Sequence, residues 1–228
     1  MSTSEAIFKK CGKQEKRCSR GNDCNNDIGC SGCSYQHFDK IKDEGNPAII
    51  FLKKEYFELC LKKRKGTGGR VALDPVLRTL LLDARKFVDG FPTLREMQNY
   101  ELVDSIDIGG ETYQFQVKCD GAFEFQDKYV FFEIKGYGDD TNCVLSAITA
   151  ANLLMLSNKF HKHKYYYIGL GTSVTQDGLK RQDFFNIKRL KIAPYVKWAE
   201  INQLIKFYGI RDINDLLVDI KDYCKNNI

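Results

Sequence analysis

The chain has 228 residues, 43% of them hydrophobic and 12% aromatic, which allows one sizeable core and excludes a disordered or fibrous protein. Its formal charge of +5 permits a polyanionic partner without requiring one. No apolar run approaches the ~20 residues that span a bilayer, and the polar start "MSTSEAIFKKCGKQEKRC" has no apolar stretch of the secretory type, so a cytoplasmic protein without a membrane segment is expected.

Residues 1–45 are polar, rich in Cys, Gly, Asn and Lys, and carry no hydrophobic period. They are expected to form a small module apart from the main domain, residues 46–228. That domain opens with a helical pattern in "NPAIIFLKKEYFELCLKKRK", which the basic, Gly-rich "KKRKGTGGR" ends. "LDPVLRTLLLDARKFVDG" predicts a second helix, with Asp74 as N-cap, Pro75 in the first turn and Gly90 just past the end. Thr93 and Glu96 fit a capping box that opens a further short helix.

The period then changes to two. "TYQFQVKCD" places Tyr113, Phe115, Val117 and Cys119 on one face of a strand, and "GAFEF" and "YVFFEIK" complete a three-strand meander. "DDTNCVLSAITAANLLMLSNKF" returns to helix, apolar over a wide arc and therefore expected against the sheet. "YYYIGLGTS" predicts another strand. Two helices follow, "PYVKWAEINQLIKFYG" and "DINDLLVDIKDYCKN". This order predicts an α/β or α+β domain with a mixed sheet.

Nine cysteines in a chain without an export signal are not expected to form a disulfide framework. Cys60, Cys119, Cys143 and Cys224 are scattered and are expected as small apolar residues. Cys18, Cys24, Cys30 and Cys33 are spaced C-x5-C-x5-C-x2-C, with Cys11 upstream and His37 downstream in reserve. Four thiolates this dense suit a tetrahedral structural Zn²⁺, while an iron centre or Fe–S cluster stays open because the spacing is not a two-knuckle ribbon.

The segment "KCDGAFEFQDKYVFFEIKGYG" raises the functional question, because two carboxylates and a lysine interrupt a strongly β-forming run. A hairpin through "FQDKYV" with a two- or four-residue loop is expected to pair Phe125 with Val130, Ala122 with Glu133 and Asp120 with Lys135. Asp120, Glu133 and Lys135 then share one face, and Phe123, Phe125, Val130, Phe132 and Ile134 share the other. A three-residue loop would break that alignment. Two such carboxylates can hold one hard cation of the Mg²⁺ type, with the lysine beside it to bind the attacking water and phosphate charge.

At these residues the chain resembles the PD-(D/E)XK nucleases, and among them the type II restriction endonucleases. The resemblance runs over roughly residues 72–171: Asp120, twelve residues, "EIK" at 133–135, a helix from about 141 and the strand "YYYIGLG". Cys119 stands where the family has Pro, and the Gln motif of recombination nucleases is missing from the following helix. The resemblance implies a restriction-endonuclease-like core and Mg²⁺ held by Asp120, Glu133 and the backbone carbonyl of Ile134. It also implies Lys135 as the residue that activates water, and products with 5′-phosphate and 3′-hydroxyl ends.

A second "DIK", Asp219 to Lys221, with Asp212 and Asp215 upstream, lies in a helical pattern and is expected on a solvated face. Phosphate or base contacts are expected from Lys62, Arg64, Lys65 and Arg70 in the basic segment and from Gln176, Lys180 and Arg181 in "TSVTQDGLKRQD". His161 and His163 are expected as surface charge. Glu96 is read first as a cap and second as an auxiliary metal carboxylate. Together with the resemblance these residues predict a Mg²⁺-dependent endonuclease, a type II restriction enzyme, acting on double-stranded DNA as a homodimer, with a monomeric nicking enzyme left open. A junction- or repair-type nuclease on the same core, told apart by structure-dependent cutting, and a non-enzymatic nucleic-acid-binding protein, told apart by binding without cleavage, are the alternatives.

Overall fold

A computed structural model of the protein describes residues 41–62, 73–137, 140–171, 178–186 and 193–226. Its centre is a five-stranded mixed sheet covered by helices on both faces, a mixed α/β architecture. Across the sheet lie β1 (Arg95–Glu96), β4 (Gly121–Phe125), β5 (Lys128–Tyr137), β6 (His163–Gly171) and β7 (Lys206–Gly209), in that order. β1–β4 and β4–β5 pair antiparallel; β5–β6 and β6–β7 pair parallel. Each parallel step needs a crossover. The first is α3 (Thr141–Leu156), and the second includes α4 (Arg181–Asn186) and α5 (Ala193–Ile201).

Alternation along the strands divides the apolar side chains between two cores. Phe123, Val130, Phe132, Ile134, Tyr166 and Ile168 meet α1 (Pro47–Lys62), α2 (Asp74–Leu82) and α6 (Ile213–Lys225) on one face. Ile41 already packs in this core. In α6 the buried Ile213, Leu216, Leu217, Ile220, Tyr223 and Cys224 recur at three- and four-residue steps, so one stripe of the helix is apolar and docks. On the other face Ala122, Phe131, Tyr165, Tyr167 and Phe207 meet Val144, Ala147, Ile148, Ala151 and Leu154 of α3. Burying each large apolar side chain contributes about 1.5–3 kcal/mol. No helix among the described residues is long and apolar enough to cross a membrane.

The structure departs from the sequence reading at four elements. α2 is shorter than expected: Leu73 holds the cap position, Asp74 is the first helical residue, and a 3₁₀ turn over Ala84–Lys86 follows Leu82. The expected capping box at Thr93–Glu96 opens no helix, because Glu96 pairs with Phe123 in β1. The expected meander does not form either. β3 (Glu111–Lys118) pairs with β2 (Glu101–Ile108) in a separate two-stranded ribbon, turned by Gly109 and Gly110 at φ of 61° and 87°. Finally, α5 ends at Ile201, and "KFYG" forms β7 instead of a last helical turn, since β6 offers it a parallel partner.

Candidate active site

The β4–β5 hairpin closes with a two-residue loop, Gln126–Asp127, and Gln126 takes the left-handed φ of 57° that such a tight turn demands. Phe125 pairs with Lys128, Phe123 with Val130 and Gly121 with Phe132. The expected Phe125–Val130 pairing is therefore wrong by two residues, and continuing the ladder by one step sets Asp120 opposite Glu133. Side chains alternate with a period of two, so this shift changes partners and preserves faces. Asp120, Glu133 and Lys135 do meet on one side of the sheet. They sit at the margin of the α3-side core, past Phe131 and Ala122.

Asp120 lies between two sheets, just after β3 and just before β4. Its N–H donates to the Phe132 carbonyl at 3.0 Å. Its carboxylate oxygen Oδ2 accepts from the Ile134 N–H at 2.8 Å and from Lys135 Nζ at 3.4 Å. Lys135 Nζ also forms an ion pair with Glu133, so one ammonium bridges both carboxylates. The side chains of Asp120, Glu133 and Lys135 are 30%, 18% and 27% exposed, open to solvent at one side and partly desolvated.

The three charges sum to −1. Burial raises the Glu133 carboxyl above its ordinary value, the neighbouring Asp120 charge adds to this, and Lys135 only partly offsets it. Burial alone would lower Lys135, but the hydrogen bond to Glu133 and the two carboxylate charges outweigh it and raise the ammonium. The shifts run the same way because burial and the Asp120 charge outweigh one cation at the glutamate, while two anions outweigh burial at the lysine. Beside them, burial and the Glu133 and Asp120 charges push the Cys119 thiol up to about 12. Cys119 is thus a buried, protonated, apolar neighbour.

The donor chemistry fits the Mg²⁺ that the nuclease resemblance implies. Two hard carboxylates already converge on one cation, here the ammonium, and retain an excess negative charge. No group of three or more His, Cys, Asp or Glu converges among the described residues. A pair of carboxylates completed by water is what Mg²⁺ accepts most readily.

The remaining sequence candidates fall elsewhere. Arg181 is committed to the fold: its guanidinium donates to Glu200 at 2.8 Å and to the Phe207 carbonyl at 3.2 Å, and lies 5.1 Å from the Tyr208 ring centroid. Lys180 sits at the start of α4, its N–H bound to Asp183 at 2.7 Å. Lys62 ends α1. Arg64, Lys65, Arg70 and Gln176 lie outside the described residues, as do Cys11, Cys18, Cys24, Cys30, Cys33 and His37. The second "DIK" is helical, yet Asp219 is only partly solvated: it is ion-paired to Lys206 at 22% exposure. Nor is His163 a surface charge. It packs against Phe131 with ring centroids 5.8 Å apart, and burial lowers it to about 4, so it stays neutral.

Sequence reasoning missed the group behind Asp120. Arg78 of α2 donates to the Asp120 carbonyl at 2.9 Å, to Asp74 at 3.0 Å and to Glu96 at 3.0 Å. Tyr100 donates to Glu96 and stacks over the guanidinium, 4.7 Å from Arg78 Cζ. Glu96 therefore neither caps a helix nor points freely at a metal; it holds Arg78. The spacing of Asp74 and Arg78 on one helix face was the only local signal for this group. Compared with models of known families, with curated proteins and with solved structures, the chain matches none.

Proposed function

We propose that the protein is a Mg²⁺-dependent endonuclease that hydrolyses phosphodiesters of double-stranded DNA, a restriction enzyme of the PD-(D/E)XK type. The observation that supports it most is the convergence of Asp120, Glu133 and Lys135 on one face of β4–β5, immediately before a helix and a parallel strand. Bound Mg²⁺ would neutralise phosphate charge and acidify a water. Asp120 and Glu133, with the Ile134 carbonyl, are the residues to hold it. Lys135, once released from the carboxylates, would orient the attacking water and stabilise charge on the phosphate. The water oxygen would bond to phosphorus and give up a proton to solvent as the bond to the 3′-oxygen breaks, and that oxygen would take a proton from solvent and leave as the 3′-hydroxyl.

One site per chain cuts one strand, so a double-strand cut calls for two copies. Incubation with plasmid DNA in Mg²⁺ should give discrete fragments, and excess EDTA should stop cutting. Cutting confined to junctions or flaps would instead favour a structure-specific nuclease. Binding without cleavage of any DNA would reject the enzymatic reading.

A further inference from the structure

We propose that Arg78 is a positioning residue of this site, fixing the backbone at Asp120 so that its carboxylate stays against Ile134 and Lys135. The consequence for cleavage rests on the nuclease reading; the positioning rests on contacts alone. Residues 119 and 120 link β3, in the ribbon, to β4, in the main sheet, and belong to neither ladder. Such a junction is free to shift unless other groups hold it. Three bonds to its backbone groups do so here. The Cys119 N–H donates to the Tyr100 carbonyl at 3.1 Å, the Asp120 N–H to the Phe132 carbonyl at 3.0 Å, and Arg78 to the Asp120 carbonyl at 2.9 Å.

Among the described residues Arg78 alone ties the junction to a helix. Its own helix is fixed through the buried Val76, Leu77, Leu80 and Leu81. The guanidinium in turn is fixed on three sides, by Asp74, Glu96 and the Tyr100 ring. A planar fork can bind all of these at once, whereas an ammonium on a flexible stem cannot. The side chain is 17% exposed and its Nε and Nη1 are spent on protein partners. Holding Asp120 is the role these contacts define.

The Ile134 N–H donates directly to the Asp120 carboxylate, so its hydrogen exchange reports where that carboxylate lies. The test is exchange in the full chain carrying Arg78→Lys or Arg78→Ala. Both variants should exchange the Asp120 and Ile134 amides about tenfold or more faster, the loss of a charged hydrogen bond, with amides at Tyr165–Ile168 unchanged. Parent-like protection in Arg78→Lys would overturn the proposal, as would a uniform rise over all amides. In parallel, kcat for plasmid cleavage should fall about tenfold or more with KM for DNA little changed; unaltered kcat despite faster exchange would also overturn it. If the parent protein cuts no DNA in Mg²⁺, the nuclease reading fails by itself, and the exchange comparison still decides whether Arg78 positions Asp120.

Discussion

Gly121 directly follows Asp120 and opens the paired part of the hairpin opposite Phe132, and its replacement by alanine tests how tightly the site is built. A Cβ there would lie 2.0 Å from Phe132 Cζ and 2.1 Å from Cε1. The ring cannot easily retreat. Phe132 is 1% exposed and stacks on Phe123 with centroids 6.1 Å apart. Because Gly121 does not need a left-handed φ, the cost is steric and not conformational. Overpacking of this kind costs about 1–3 kcal/mol. Restricting the unfolded chain returns about 0.4–1 kcal/mol of it. A net loss of about 1–2 kcal/mol lowers the melting temperature of a chain this size by about 2–8 °C.

The assay is thermal and urea unfolding of Gly121→Ala, with Gly136→Ala as control, since a Cβ at Gly136 meets nothing within 4 Å. A double-mutant cycle makes the cause specific. Phe132→Leu removes the ring tip and alone should cost about 1–2 kcal/mol. In the Gly121→Ala background the new methyl occupies the vacated space, so the two should couple favourably by about 1 kcal/mol or more. Unchanged stability in Gly121→Ala, or strict additivity in the cycle, would refute the packing argument.

Asp120→Asn, Glu133→Gln and Lys135→Ala should each abolish plasmid cleavage with little loss of DNA affinity, whereas Lys221→Ala should cleave as the parent does, both read by gel assays. Asp219→Asn should keep activity and lose at most about 1 kcal/mol through its partly exposed pair with Lys206. Glu133→Gln should also raise stability at neutral pH: a carboxyl raised by burial stabilises the fold while protonated and loses that contribution as pH rises through its folded value. Urea unfolding at pH 4 and pH 8 measures this, and a glutamine that stabilises equally at both would contradict it. His163 has the opposite sign: lowered by burial to about 4, it costs stability as pH falls from 6.5, and His163→Phe should flatten that acid limb. Replacing Cys30 or Cys33 by Ser should lower the metal content, which elemental analysis of the parent should put at about one Zn per chain; a brown parent protein would transfer the assignment to iron.

The elements legible in the sequence were those whose signal is local. α3 was legible because Asp140 accepts from the Asn142 and Cys143 amides ahead of a long apolar arc. α6 was legible from its stripe. What failed depended on partners far along the chain. "TLRE" meets the capping-box pattern, but Glu96 finds a strand partner in Phe123 and a cation in Arg78, and tertiary contacts override propensity. "KFYG" is too short to carry a period and becomes a strand only beside β6. β2 is different in kind: "LVDSIDIGG" alternates into a Gly-Gly turn, a hairpin signal local to the sequence.

The candidate site survived a wrong register for a physical reason. Any even slip of the hairpin changes who faces whom along the ladder and leaves every side chain on its own face. Asp120, Glu133 and Lys135 therefore had to converge provided the loop was even, and the Gln126–Asp127 loop is. Arg78 had no such protection from error. It reaches Asp120 across 42 positions, from a helix on one face of the sheet to a junction at the sheet's edge. Period and spacing can place side chains on a shared face, but not the cation that anchors a carbonyl from another element. A site read from pattern alone thus lists the groups that do chemistry and omits those that hold them in place.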